Sequence, residues 1–128
     1  MPTYLLRPAT HHTIQATGKV IHTSYPRIIY VIELDSAAAD DPIFAKDNPH
    51  LVKGMTCLYV GSSGLTAEER MGQHLRGVNA ANIVFNFGRE LRYDLMPEQK
   101  PIPRERALTL ERGLARKLRR EGFAVSQH

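Results

Sequence analysis

A chain of 128 residues fits one domain able to bury an ordinary core without staples, and its 42% apolar and 23% charged content is that of a soluble globular protein. No apolar run approaches the length of a bilayer span, the N-terminus has no basic segment leading into a continuous apolar one, and the lone Cys57 has no internal partner; a membrane role is not expected, and a cytoplasmic, reducing setting fits best. The net charge of +4 is local: residues 101–128 carry seven Lys/Arg against three Asp/Glu, whereas residues 1–100 balance ten against ten.

Met1 to Gln15 has no clean period. Its adjacent His11 and His12 share a face in neither a helix nor a strand, so they read as loop or edge strand rather than as metal ligands. Residues 18–23 read as a short strand, and residues 27–34, Arg-Ile-Ile-Tyr-Val-Ile-Glu-Leu, as a central one, bounded by Pro26 and the Asp35-Ser36 turn signal. Residues 35–53 lose this pattern and read as an insertion loop within reach of a ligand. A second strand follows at Met55 to Val60, and Gly61 to Gly64 has the composition of a sharp connection. Thr66 and Glu69 then form a Thr-x-x-Glu capping box, which starts a helix that places Arg70 and His74, four residues apart, on one face just beyond Tyr59.

Arg76-Gly77 stops that helix; residues 80–87 read as a short helix, and the alternation at 89–95 as a third, edge-like strand with Leu91, Tyr93 and Leu95 on one face. The last helix, residues 103–121, carries a stripe of Ala107, Glu111, Leu114 and Leu118 at helical spacing. Arg112, Arg116, Lys117, Arg119 and Arg120 lie away from it, as a candidate surface for phosphate backbones. A carboxylate in an apolar stripe is costly without a partner, so Glu111 calls for either an ion pair with Arg70 or a hard metal ion. No repeat, low-complexity tract or linker divides the chain, which reads as one domain over 1–128.

Tyr30 in one strand, Tyr59-Val60-Gly61 ending the next, Arg70 and His74 on the following helix and Glu111 on a later one together resemble the GIY-YIG nuclease family over about residues 27 to 125. Ile28-Ile29-Tyr30 stands where the family has Gly-Ile-Tyr, and Tyr59-Val60-Gly61 where it has Tyr-Ile-Gly. The resemblance implies an α/β domain of the α+β type, with a small, mostly antiparallel three-stranded sheet flanked by helices. Its activity would be that of an endonuclease hydrolysing DNA phosphodiesters, with RNA open as a substrate, using one Mg²⁺ or Mn²⁺. Glu111 would hold the ion, Arg70 would clamp the non-bridging oxygens, Tyr30 and Tyr59 would hold and activate the attacking water, and His74 would take the proton directly or through Tyr30. The alternative is a nucleic-acid-binding module on the same scaffold with weakened catalysis, favoured by the lack of the Asn that members often carry after the Glu helix; a weaker third reading is a basic protein-interaction domain.

Overall fold

The structure, a computed structural model, describes residues 26–127; the expectations for His11, His12 and residues 18–23 lie outside that range. Four strands form one mixed sheet in the order β3-β1-β2-β4, with β1 at Ile28–Leu34, β2 at Cys57–Ser63, β3 at Gly88–Leu91 and β4 at Ala124–Gln127. Four helices flank it: α1 (Pro42–Asp47), α2 (Ala67–Arg76), α3 (Asn82–Phe87) and α4 (Arg104–Arg120). None is long and apolar enough to cross a membrane among the described residues.

The β-branched run of β1 is covered on both faces, which is why it reads as continuous rather than alternating. Tyr30, Ile32 and Leu34, with Cys57 and Tyr59 of β2, pack against Phe44 of α1, Ala67 and Met71 of α2 and Val84 of α3. The other face, with Ile29, Val31, Leu58 and Val60, packs against Ala107, Ala115 and Leu118 of α4. The stripe on α4 therefore faces inward as expected, with Ala115 added and Leu114 only half-buried.

Three expectations are corrected. β2 does not end at Gly61 but runs on to Ser63, so Gly61, Ser62 and Ser63 pair with β1 instead of forming the connection. The sheet has four strands rather than three, because β4 adds to β2 in parallel, pairing Leu58 with Val125 and Tyr59 with Ser126. The expected strand over 89–95 ends at Leu91, beyond a register irregularity at Glu33/Leu34, and Tyr93–Leu95 turns into a 3₁₀ helix, so Leu91, Tyr93 and Leu95 do not share a strand face.

The insertion 35–53 is ordered by local chemistry. Asp41 caps α1 by accepting from the Ile43 and Phe44 N–H groups at 3.0 Å each, and Pro42 fits the first helical turn. At its far end the buried Asn48 takes the place of a fifth strand: its Oδ1 accepts from Val125 N at 2.8 Å and its Nδ2 donates to Val125 O at 3.0 Å and Phe44 O at 2.9 Å. An exposed sheet edge is thereby closed.

Candidate nucleic-acid cleft

β1 and β2 run antiparallel with Tyr30 opposite Gly61 and Ile32 opposite Tyr59, so the two tyrosines stand two positions apart in register on one face. Their ring centroids are 6.2 Å apart. Gly61 makes this possible: a Cβ there would fall 2.6 Å from Tyr30 Oη and 2.7 Å from its Cζ. We expect Gly61→Ala to displace the Tyr30 ring and cost about 2–3 kcal/mol, read as a lower melting temperature. An unchanged melting temperature would mean that the phenol does not lie over β2.

The capping box forms as expected, with Thr66 Oγ1 accepting from Glu69 N at 3.2 Å and Glu69 Oε1 accepting from Thr66 N at 2.9 Å, and Gly77 ends α2 in the left-handed region at φ 79°. The helix so placed sends His74 beneath the tyrosines and Arg70 alongside them. His74 is fully buried, with its ring 5.9 Å from that of Tyr30 and 5.7 Å from that of Tyr59. Its Nδ1 accepts from the Ala81 N–H at 3.2 Å, and its Nε2 lies 2.8 Å from Tyr30 Oη. A backbone N–H only donates, so the neutral ring carries its proton on Nε2 and donates it to Tyr30. In this arrangement the imidazole donates to the Tyr30 oxygen; the expected role of proton acceptor calls for the other tautomer.

Arg70 Nη2 donates to Asn79 O at 2.8 Å and Nη1 to Gln73 Oε1 at 2.9 Å. These partners, and not Glu111, hold the guanidinium, so the Arg70–Glu111 ion pair is absent among the described residues. Tyr30, Tyr59 and Arg70 line one cleft of about 600 Å³. Asp41 and Ile43 of the insertion reach it, as do Asn82, Asn86 and Gln127. Sequence reasoning also missed Arg27. Strand alternation puts residue 27 on the opposite face from Tyr30, yet at the head of β1 its side chain reaches the same cleft.

Glu111 is 2% exposed on α4 and is not among the cleft-lining residues, but its negative charge reaches Tyr30, Tyr59 and Arg27. Burial raises the pKa of Tyr30, and Arg70 offsets only part of this; Tyr59 is raised further, by burial, then by Tyr30 and Glu111. Both are therefore neutral hydroxyl donors at neutral pH. Tyr93, beside Glu68 at the surface, is raised to about 12 by its hydrogen bond to that carboxylate.

Groups whose folded pKa lies above the unfolded value of about 10 favour the fold fully below that pH and cease to do so as pH rises through the folded value. Phenolate absorbance of the buried Tyr30 and Tyr59 should thus be missing near pH 10 in the native protein and appear together with unfolding, whereas the exposed Tyr93 should titrate late without it. Replacing Tyr59 by Phe should remove one late-titrating group, and titration of native Tyr59 at the ordinary value would contradict its burial.

The other predicted cations divide. Arg112, Arg116, Lys117 and Arg120 are exposed on α4, and none lines the cleft; Lys117 Nζ also lies 3.4 Å from Glu121 Oε2. Arg119 is corrected to a structural role: it turns inward, donating from Nη2 to Val125 O at 2.7 Å and from Nε to Asn48 Oδ1 at 3.2 Å.

No family model, curated protein or solved structure matches this chain. Its residues and their geometry carry the functional reading.

The donor set tests the fit of a metal. Among the described residues no three His, Cys, Asp or Glu side chains gather as a ligand group. A site with one carboxylate ligand suits an ion that keeps most of its water, as Mg²⁺ and Mn²⁺ do, and does not suit a zinc or calcium cage.

Proposed function

We propose that this domain is a GIY-YIG-like, metal-dependent endonuclease that hydrolyses phosphodiester bonds of DNA in the cleft between β1, β2 and α2. The observation that supports it most is the arrival at one cleft of Tyr30 and Tyr59, from adjacent strands, together with the Arg70 guanidinium from the helix that follows. Arg70, already fixed by Gln73 and Asn79, has donors left for the non-bridging phosphate oxygens, where negative charge grows in the transition state. Tyr30 accepts from His74, which leaves its own hydroxyl proton to be donated into the cleft, to a phosphate oxygen or to a held water. Tyr59, neutral for the same reason of burial, positions rather than deprotonates. Glu111 would hold a divalent ion, which would supply positive charge for phosphoryl transfer.

The test is incubation with supercoiled plasmid and Mg²⁺ or Mn²⁺, with and without chelator. Nicking that requires the ion and is lost in Arg70→Ala is the expected result; a protein that binds the plasmid and never nicks it would sink the nuclease reading. That outcome belongs to the second reading, a DNA-binding module without catalysis. It is favoured by the position of Glu111 outside the cleft lining and by the high pKa of both tyrosines.

A further inference from the structure

We propose that Arg27 is a second phosphate-binding residue of this cleft, gripping a backbone phosphate that neighbours the one held by Arg70; the inference rests on the nucleic-acid reading of the cleft. The backbone of Arg27 is held at the strand head by reciprocal hydrogen bonds with Ile102, Arg27 N to Ile102 O and Ile102 N to Arg27 O, each 2.8 Å. The side chain is held as well. Its Nε donates to Ser62 Oγ at 3.2 Å and its Nη2 to Ser62 O at 2.9 Å. A guanidinium has five N–H donors, so most of the fork remains to face an oxyanion with little further loss of side-chain freedom.

The charge around Arg27 points the same way. No ion pair joins Arg27 or Arg70 to a carboxylate among the described residues, and both line the same cleft. Burial and the nearby positive charges of Arg104 and Arg70 destabilise the Arg27 cation, and Glu111 offsets part of this. Two half-buried guanidiniums in one cleft, repelling each other, are relieved when each meets an anionic group. A nucleic-acid strand supplies such charge at regular intervals.

The competing role is purely structural: Arg27 would pin β1 to Ser62 and balance Glu111. The experiment uses the full chain in chelator, so that binding is read without cleavage. A fluorescein-labelled DNA hairpin of about 20 base pairs is titrated at several salt concentrations, with the wild type, Arg27→Gln, Arg27→Lys and, as a comparison at an exposed arginine outside the cleft, Arg89→Ala, and each protein is melted alongside. Arg27→Gln should bind about tenfold more weakly, with a log K against log salt slope shallower by about one, and Arg27→Lys should keep the slope while losing severalfold in affinity. Wild-type affinity and slope in Arg27→Gln, whatever its melting temperature, would overturn the proposal. If Arg27→Gln does not fold, Arg27→Lys decides, and its binding like wild type would overturn it. A wild type that binds DNA without ever cutting it leaves this inference standing and sinks the nuclease reading. A wild type that cuts, beside an Arg27→Gln with unchanged binding, does the reverse. No binding by the wild type overturns both.

Discussion

Glu111→Gln is expected to give a folded protein that binds DNA and has lost metal-dependent cleavage by at least about 10²- to 10³-fold, the scale of removing one electrostatic element of a transition-state site. The substitution keeps the volume of a residue 2% exposed between Ala107, Ala115 and Leu118, so packing is nearly conserved. It removes a negative charge felt by Tyr30, Tyr59 and Arg27. Both tyrosines should consequently titrate somewhat earlier than in the wild type. A carboxylate that is costly to bury leaves stability nearly unchanged, or improved, when neutralised; one that balances a buried guanidinium leaves it several kcal/mol lower. Plasmid nicking, hairpin binding and a melting curve separate these cases. Undiminished nicking removes Glu111 from the chemistry, and a marked fall in melting temperature assigns it to balancing Arg27.

Asn48→Ala should be the most damaging single change away from the cleft. Asn48 is 1% exposed, and its amide serves Val125 N, Val125 O and Phe44 O while accepting from Arg119 Nε. Truncation leaves the Val125 N–H without its acceptor and opens a small cavity, at a cost of about 3 kcal/mol, or a fall of roughly 10 °C in melting temperature for a domain of this size. Because β4 carries Ser126 and Gln127 into the cleft, DNA affinity should fall with it. Equal melting temperatures would show that Asn48 and the edge of β4 do not depend on one another.

Much of this fold was legible because local and long-range signals agree. β1 and the apolar part of β2 read as strands since their residues are β-branched or aromatic throughout, and α2 declared both ends through Thr66, Glu69 and Gly77. Along α4, period alone placed Glu111 inward. Tertiary context decided the rest. β4 is four residues with no alternation, and Asn48, 77 positions away from Val125, completes its hydrogen bonds together with Arg119 of α4. α1 was hidden inside a polar stretch although Asp41-Pro42 is an ordinary helix start. Arg119 looked solvent-facing because a helical wheel does not show the strand that returns beside it. Around the cleft, the capping box and the i, i+4 spacing placed Arg70 and His74 beyond Tyr59, and the family resemblance added Tyr30. Arg27 was not found, since the end of a strand lets a long side chain escape the alternation that governs its middle.

Cys57 is the only cysteine of the chain, and it opens β2, which lies between β1 and β4 in the sheet. Burial raises its thiol pKa, so in the native state it is both covered and poorly nucleophilic. A thiol reagent therefore meets it only when the central strand comes free of its neighbours. Labelling becomes a clock for global opening: its rate, divided by that of the unfolded chain, gives the fraction of molecules open at any moment, under native conditions and without denaturant. Any nucleic acid that occupies the cleft should slow this clock in proportion to its occupancy, so binding can be followed from the opposite end of the same strand.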